Sequence, residues 1–274
     1  MIKFILLGLT GYALLAVLAW WVSDRMIFLP PPASYGENGV RLDFRSENSN
    51  LTPFSLVNTD DGNAVAVLHL PNPDARFTLL FSHGNAEDLG HLAPFLAELR
   101  AAGFAVLAYD YRGYGLSTGG PPTAAGAYRD HAAAYRYATH TLKIPPSRII
   151  LHGRSVGTGP AVELAAREPV AGLIVESGFV SAYRVLTRWP LLPFDKFPNL
   201  RRMPQLKCPV LVIHGRQDQI IPFWHGQKLF AAAPEPKRAL WVDGAGHNDL
   251  AAVAWAAYVK ALQDFAGSLT SQLP

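Results

Sequence analysis

A serine between two glycines closes a short apolar run in this chain: Arg148-Ile-Ile-Leu-His-Gly-Arg-Ser155-Val-Gly157. The Gly153-x-Ser155-x-Gly157 spacing suits a sharp strand-to-helix turn, in which residues without side chains let strand and helix approach and the hydroxyl stands clear of the sheet. The helix that follows offers unpaired N–H groups and a dipole that favour negative charge beside the serine. A serine hydroxyl is a poor nucleophile until an imidazole accepts its proton. Of the nine histidines, His214, His225 and His247 follow Ser155, the order expected where such a turn carries a nucleophile. His247 lies in the loop Asp243-Gly-Ala-Gly-His-Asn-Asp249, after the last apolar strand, and is the candidate base. His214 reads as a packed strand end, and His225 as a partly exposed helix residue.

Asp218 follows the strand ending at His214 and is the candidate acid that accepts the imidazole Nδ1–H and fixes its tautomer. Glu176, at the end of another strand, is the rival; Asp243 is too near His247 in sequence. Negative charge on an attacked carbonyl needs two preorganised N–H donors. Val156, next to the serine, supplies one. Asn85 in Ser82-His-Gly-Asn-Ala-Glu87 supplies the other, with His83 buttressing that loop and no acid placed to orient it. Arg112 and Tyr114, in Asp110-Tyr-Arg-Gly-Tyr-Gly115, either brace the rim or touch a substrate. Residues 179–203 hold Trp189 and Phe194 in an apolar insertion of the kind that lids an apolar site.

The elements that must position these groups follow from periodicity. Strand candidates at Arg41–Arg45, Phe54–Thr59 and Ala64–Leu70 come first, the last two joined by the turn Asp60-Asp-Gly-Asn63. Then six apolar runs (77–82, 104–110, 148–153, 171–177, 209–215 and 238–244) alternate with helical stretches at Leu89–Ala102, Ala124–Thr141, Val156–Arg167, Phe223–Ala233 and Asp249–Phe265. Such alternation specifies an α/β fold: a mostly parallel, doubly wound sheet of about eight strands with helices on both faces. Each of the six runs is followed by Gly, Asp, Ser or His near its C-terminal end, where these sheets place ligands.

Residues 1–25 form a separate unit. Phe4–Val22 carries no charge and, at about 1.5 Å per residue, covers roughly 28 Å as a helix, near the thickness of a bilayer's hydrocarbon. Trp20 and Trp21 suit an interfacial anchor, and the run is longer than a cleaved signal's apolar core. The segment therefore reads as a single-pass N-terminal anchor. Lys3 on one side balances Arg25, Arg41 and Arg45 on the other and sets no orientation. Residues 26–39, with Pro30, Pro31 and Pro32, read as a short linker, and residues 40–270 as one catalytic domain. With 50% hydrophobic residues, 16% charged and a net charge of +3 without a basic stripe, the chain suits a large core and offers no nucleic-acid surface. Cys208 is the one cysteine, so neither an intrachain disulfide nor a cysteine-pair zinc site can form. It reads as a small buried residue. No phosphate loop or metal-ligand cluster is present, and the chemistry needs no cofactor or metal.

The segments SHGNAEDLG, DYRGYGLSTG, GRSVGTGPA, FDKFPNL, PVLVIHGRQDQIIP and WVDGAGHND, in this order, resemble the Bem46-like branch of the α/β-hydrolases. Within it the chain is most similar to the abhydrolase-domain type 17 serine hydrolases, which remove palmitate from proteins. The resemblance runs from about Leu51 to Phe265 and implies the α/β-hydrolase fold, with Ser155 as nucleophile, Asp218 as acid, His247 as base, and Asn85 and Val156 as oxyanion donors. It implies an acylated protein as substrate; a lipid or small carboxylic ester is the alternative, and a membrane-tethered binding protein the alternative outside enzymes. Those depalmitoylases reach membranes through an acylated cysteine-rich N-terminus. Here an apolar helix stands in its place, as in other Bem46-like proteins, and the bilayer is its expected partner.

Overall fold

The computed structural model describes residues 2–42 and 51–269. Part of the strand expected at Arg41–Arg45 lies outside them. In chain order the elements are helix α1 (Ile2–Ile27), strands β1 (Val40–Arg41), β2 (Leu51–Thr52), β3 (Ser55–Asn58), β4 (Ala64–Leu70) and β5 (Thr78–Ser82), helix α2 (Leu89–Ala101), β6 (Ala105–Tyr109), α3 (Ala124–Arg136), β7 (Ile149–Arg154), α4 (Thr158–Arg167), β8 (Gly172–Glu176), the short helices α5 (Tyr183–Leu186) and α6 (Asn199–Arg202), β9 (Val210–Gly215), α7 (Trp224–Ala232), β10 (Lys237–Val242) and α8 (Leu250–Leu269). β1 and β2 pair on their own. The other eight strands form one sheet in the order β3-β4-β6-β5-β7-β8-β9-β10.

β3, β4 and β6 pair antiparallel, and every pair from β6 to β10 is parallel. The β3–β4 turn forms at the expected residues: Thr59 N–H donates to Asn63 O at 2.8 Å and Gly62 takes a positive φ of 82°. Both faces of the sheet are covered, which is why its central strands are continuous apolar runs. Successive side chains point to opposite faces, so Leu80, Leu151 and Val175 enter one core with α3, α4 and α7, while Leu79, Phe81, Ile150 and Ile174 enter the other with α2 and α8. α2 is capped by Asp88, which accepts the His91 N–H, and α3 by Thr123, which accepts the Gly126 N–H.

α1 is long and apolar enough to cross a membrane. From Tyr12 onward it touches the body. Tyr12 O–H donates to Leu191 O at 2.9 Å, Trp20 packs edge-on against Phe194 with ring centroids 5.2 Å apart, and Lys196 pairs with Asp24 at 2.5 Å. The stretch after it, expected as a plain linker, is docked on the sheet's C-terminal edge by Phe28, Ser34 and Tyr35.

Cys208 is buried at the start of β9, and burial pushes its thiol up to about 12. Iodoacetamide at pH 8.5 should leave it unmodified in the native protein and alkylate it fully in urea, as read by intact mass. Fast native modification would place the thiol at the surface.

Candidate active site

Ser155 sits on a single tight turn between β7 and α4, with its own φ at 53° in the left-handed region. The glycines explain how that backbone is accommodated. A Cβ on Gly157 would stand 2.1 Å from the Ser82 carbonyl oxygen, and one on Gly153 would stand 2.5 Å from the Gly157 oxygen. The turn is therefore pressed against the end of β5, with no room for a methyl group.

The three residues expected to carry the chemistry meet. Ser155 Oγ–H donates to His247 Nε2 at 2.9 Å, and His247 Nδ1–H donates to Asp218 Oδ2 at 2.7 Å. Asp218 is buried, and burial pushes its carboxyl up. The contacts from His214 and His247 and the Ile221 N–H outweigh that and hold the group well below the usual carboxylate range. It is ionised at neutral pH, which fixes the His247 proton on Nδ1 and leaves Nε2 as acceptor. His214 is the packed strand end the sequence suggested, with one further role: its Nε2–H donates to Ile221 O at 2.8 Å and lies 3.4 Å from Asp218 Oδ2. Arg216 N–H donates to Val242 O and Gln217 N–H to Ala245 O, so the acid loop and the histidine loop are clasped together.

Glu176, the rival acid, does not reach His247. Its Oε2 accepts from Tyr258 O–H and contacts His152 Nε2, both at 2.7 Å. His225 is fully buried, which corrects the surface reading: its Nδ1 accepts the Val180 N–H and its ring stacks on Trp224, bracing the start of the insertion.

The loop after β5 packs on the serine, since a Cβ on Gly84 would lie 3.5 Å from Ser155 Cβ. Among the described residues nothing accepts the Asn85 N–H. Two restraints set this loop, and neither was visible in the sequence. On one side Glu87 accepts the Gly84 N–H at 2.6 Å and pairs with Arg154, the residue before Ser155. On the other, the Asn85 side-chain oxygen accepts from Leu29 N–H at 2.7 Å and Tyr114 O–H at 2.9 Å. Ser34 donates to Asp88 and Tyr35 O–H to Asp110, so residues 29–35 form a strap across the loop. Contrary to expectation, His83 does have a carboxylate nearby, with Nε2 3.3 Å from Asp110 Oδ1, and Asp110 also accepts the Leu89 N–H.

A cavity of about 830 Å³ opens over Ser155 and His247. Its walls include Asn85 and Val156 beside the serine, Phe179, Val185, Leu186 and Leu192 from the insertion, and Ile220 and Ile221 after β9. Three residues entertained as substrate contacts do not line it. Tyr114 is fully buried under the loop it braces. Phe194 is held between Trp20 and Tyr183, and Trp189 points outward, 73% exposed. Arg112 is likewise structural, paired with Asp61 and Asp130 at 2.7 Å each. Among the described residues no cluster of His, Cys, Asp or Glu could hold a metal ion.

An eight-stranded, mostly parallel sheet with a serine on a glycine-lined turn and aspartate and histidine on later loops defines an α/β-hydrolase. Residues 73–197 match the family model described as serine aminopeptidase, S33. The chain is 38% identical over 265 residues to the α/β-hydrolase domain-containing protein aho-3 of Caenorhabditis elegans, across 89% of this chain and 77% of that protein. It is 36% identical over 262 residues to the α/β-hydrolase domain-containing protein 17B of Homo sapiens, across 89% and 90%. The chain belongs to this family of α/β-hydrolase domain-containing proteins of type 17. Among solved structures, the Pyrococcus furiosus esterase Pf2001 has the same fold, with a TM-score of 0.70 at 20% identity over 86% of this chain and 98% of that one.

Two substitutions test the restraints. Gly157→Ala should destabilise the protein by about 1–3 kcal/mol or more through overpacking, measured by urea unfolding. Tyr114→Phe removes one hydrogen bond to Asn85, worth ~1 kcal/mol, and should lower turnover by up to about tenfold without unfolding the chain. Turnover equal to wild type in Tyr114→Phe would show that this bond does not set the loop.

Proposed function

We propose that the chain is a membrane-anchored serine hydrolase that cleaves acyl esters or thioesters, with removal of fatty acyl groups from proteins as its leading activity. The unbroken hydrogen-bond chain from Ser155 through His247 to an ionised Asp218 carries this reading. Ser155 Oγ attacks the acyl carbonyl while Nε2 of His247 takes its proton. The Asp218 carboxylate stabilises the imidazolium, and the oxyanion turns toward the N–H groups of Asn85 and Val156. His247 then protonates the departing thiolate or alkoxide. Water, deprotonated by the same nitrogen, attacks the acyl-enzyme and releases the carboxylic acid and free Ser155. Apart from the water, every group used is a side chain or backbone N–H of this chain.

The apolar insertion around the cavity favours an acyl group with a substantial hydrocarbon part. A lipid ester presents the same acyl carbonyl and is the second reading, favoured by how closely the cavity adjoins α1. The anchor is supported by the length and apolarity of α1. A spanning helix needs about 20 apolar residues, so Lys3–Val22 must be largely within the bilayer if α1 crosses it. Trp20 packed on Phe194 then brings the insertion, with its exposed Leu186, Trp189 and Leu191, to the membrane, and Tyr12 bonded to Leu191 carries its tip into the apolar layer.

Labelling with a fluorophosphonate probe tests the nucleophile. Wild type should label; Ser155→Ala should not, and His247→Ala should label weakly or not at all. Asp218→Asn should retain the fold by circular dichroism and lose about 10³–10⁴-fold in turnover on an acyl thioester, because the imidazole loses its fixed tautomer. Equal labelling of Ser155→Ala would sink the proposed nucleophile.

A further inference from the structure

The cavity over Ser155 is not closed by the hydrolase domain alone. Ala19, Val22, Ser23, Met26 and Ile27, all from the last turns of α1, form part of its wall, opposite Val185 and Leu192 of the insertion. These residues span nine positions of helix, about 12 Å of wall at ~1.5 Å per residue. Four of the five side chains are apolar, and the one hydroxyl is already engaged: Ser23 Oγ–H donates to Trp20 O at 2.9 Å and accepts from Tyr183 O–H at 3.0 Å.

The helix is held against the cavity by more than apolar contact. Asp24 accepts the Ala124 N–H at 3.0 Å and pairs with Lys196, itself buried, whose ammonium lies 4.9 Å from the Trp20 ring centroid. Breaking a buried pair leaves an uncompensated charge, so this contact fixes the rotation of α1. That rotation sets Val22, half-buried, and Met26, 59% exposed, in the cavity lining, from which Val17 and Trp21 are absent. A helix whose sole task is to moor the protein needs no particular face toward the catalytic serine.

We infer that the C-terminal turns of α1 are the acyl-chain subsite, so that the anchor helix determines which chain lengths the site accepts. The inference rests on the hydrolase reading for the chemistry at Ser155, but the subsite itself can be tested without turnover. The occupant is the hydrocarbon chain of an acyl group, whether carried by an acylated protein or by a lipid. Its carbonyl lies at Ser155 and its tail runs between Val22 and Met26 on one side and the insertion on the other. Each methylene buried there contributes ~0.8 kcal/mol, about a fourfold rise in kcat/KM per carbon until the wall ends.

The experiment uses the full chain in lipid nanodiscs with two substrate series, S-acyl cysteine peptides and lysophospholipids, each from four to sixteen carbons. Wild type should climb with chain length. Val22→Trp, which fills the groove, should break that climb several carbons earlier and lower the ratio of long- to short-chain kcat/KM at least tenfold in whichever series is turned over. Val17→Trp, on the exposed face, should keep the wild-type profile. In parallel, a fatty acid with a terminal diazirine is photolysed with Ser155→Ala protein. Crosslinks should map to Ala19, Val22 and Met26, and excess palmitate should displace them. Crosslinks spread evenly around α1 and insensitive to palmitate, or an unchanged profile in a probe-labelled Val22→Trp protein, would overturn the subsite. Palmitate-sensitive crosslinks in a protein that hydrolyses nothing would keep the subsite and discard the hydrolase reading.

Discussion

The close approach of backbone to backbone at Ser155 is the constraint on which the rest of the structure depends. A non-glycine residue at a φ of 53° is uncommon and persists only where its surroundings over-determine it. Here the Gly157 Cα is pressed on the Ser82 carbonyl and the Gly153 Cα on the Gly157 carbonyl. β5 and β7 are neighbours in perfect register, with Ser82 opposite Gly153, so the parallel ladder itself brings these two chain ends together. The serine, the loop that follows Ser82 and the first turn of α4 are thus fixed by one packing event. The acid and histidine loops are then placed by the outer parallel pair, β9 and β10, and clasped by Arg216 and Gln217. A hydrogen-bonded serine, histidine and aspartate follow from the order of the strands.

What the sheet does not fix by itself is the loop carrying Asn85, which leaves β5 and must turn back over the serine. Its two restraints come from opposite directions. Glu87 and Arg154 hold it from within, with the Arg154 guanidinium lying over the Phe81 and Phe95 rings at 5.4 and 5.2 Å. From outside, Leu29, Ser34 and Tyr35 hold it through Asn85, Asp88 and Asp110. Ala86 has a φ of 56°, a second left-handed residue in the same loop, which fits a conformation imposed by partners on both sides.

The sequence was most informative where chemistry depends on spacing. Gly153-x-Ser155-x-Gly157, the strand before Asp218 and the glycine-rich loop before His247 are local patterns, and the fold brings together the residues they single out. The alternation of apolar runs with helical stretches likewise gave the sheet, because period and composition are properties of neighbours in the chain. The misreadings have a common cause. His225 in a helix looked half-exposed, because helical spacing does not reveal which insertion will cover it. Tyr114 and Phe194 are aromatic near the right motifs, yet Tyr114 packs on Phe28 and Phe194 on Trp20, partners about 90 and 170 positions away. The Leu29–Asn85 bond joins residues 56 apart through a backbone N–H, a donor every residue but proline has, and so has no signature in the amino-acid sequence.

Those long-range contacts change what the N-terminal segment is for. A flexible tether would leave the hydrolase domain intact when removed, because its only task is to limit distance from the membrane. In this chain residues 19–35 wall the cavity, enter the core through Phe28 and hold the loop beside Ser155. Phe28 is packed against Tyr111, Tyr114 and Phe197, so its removal would open a cavity beneath that loop as well as cut its hydrogen bonds. Residues 19–35 and the hydrolase domain therefore share one packed region at the sheet's C-terminal edge. The position of the helix relative to Ser155 is fixed to the precision of a packed core, which a mooring does not need and an acyl-binding wall does.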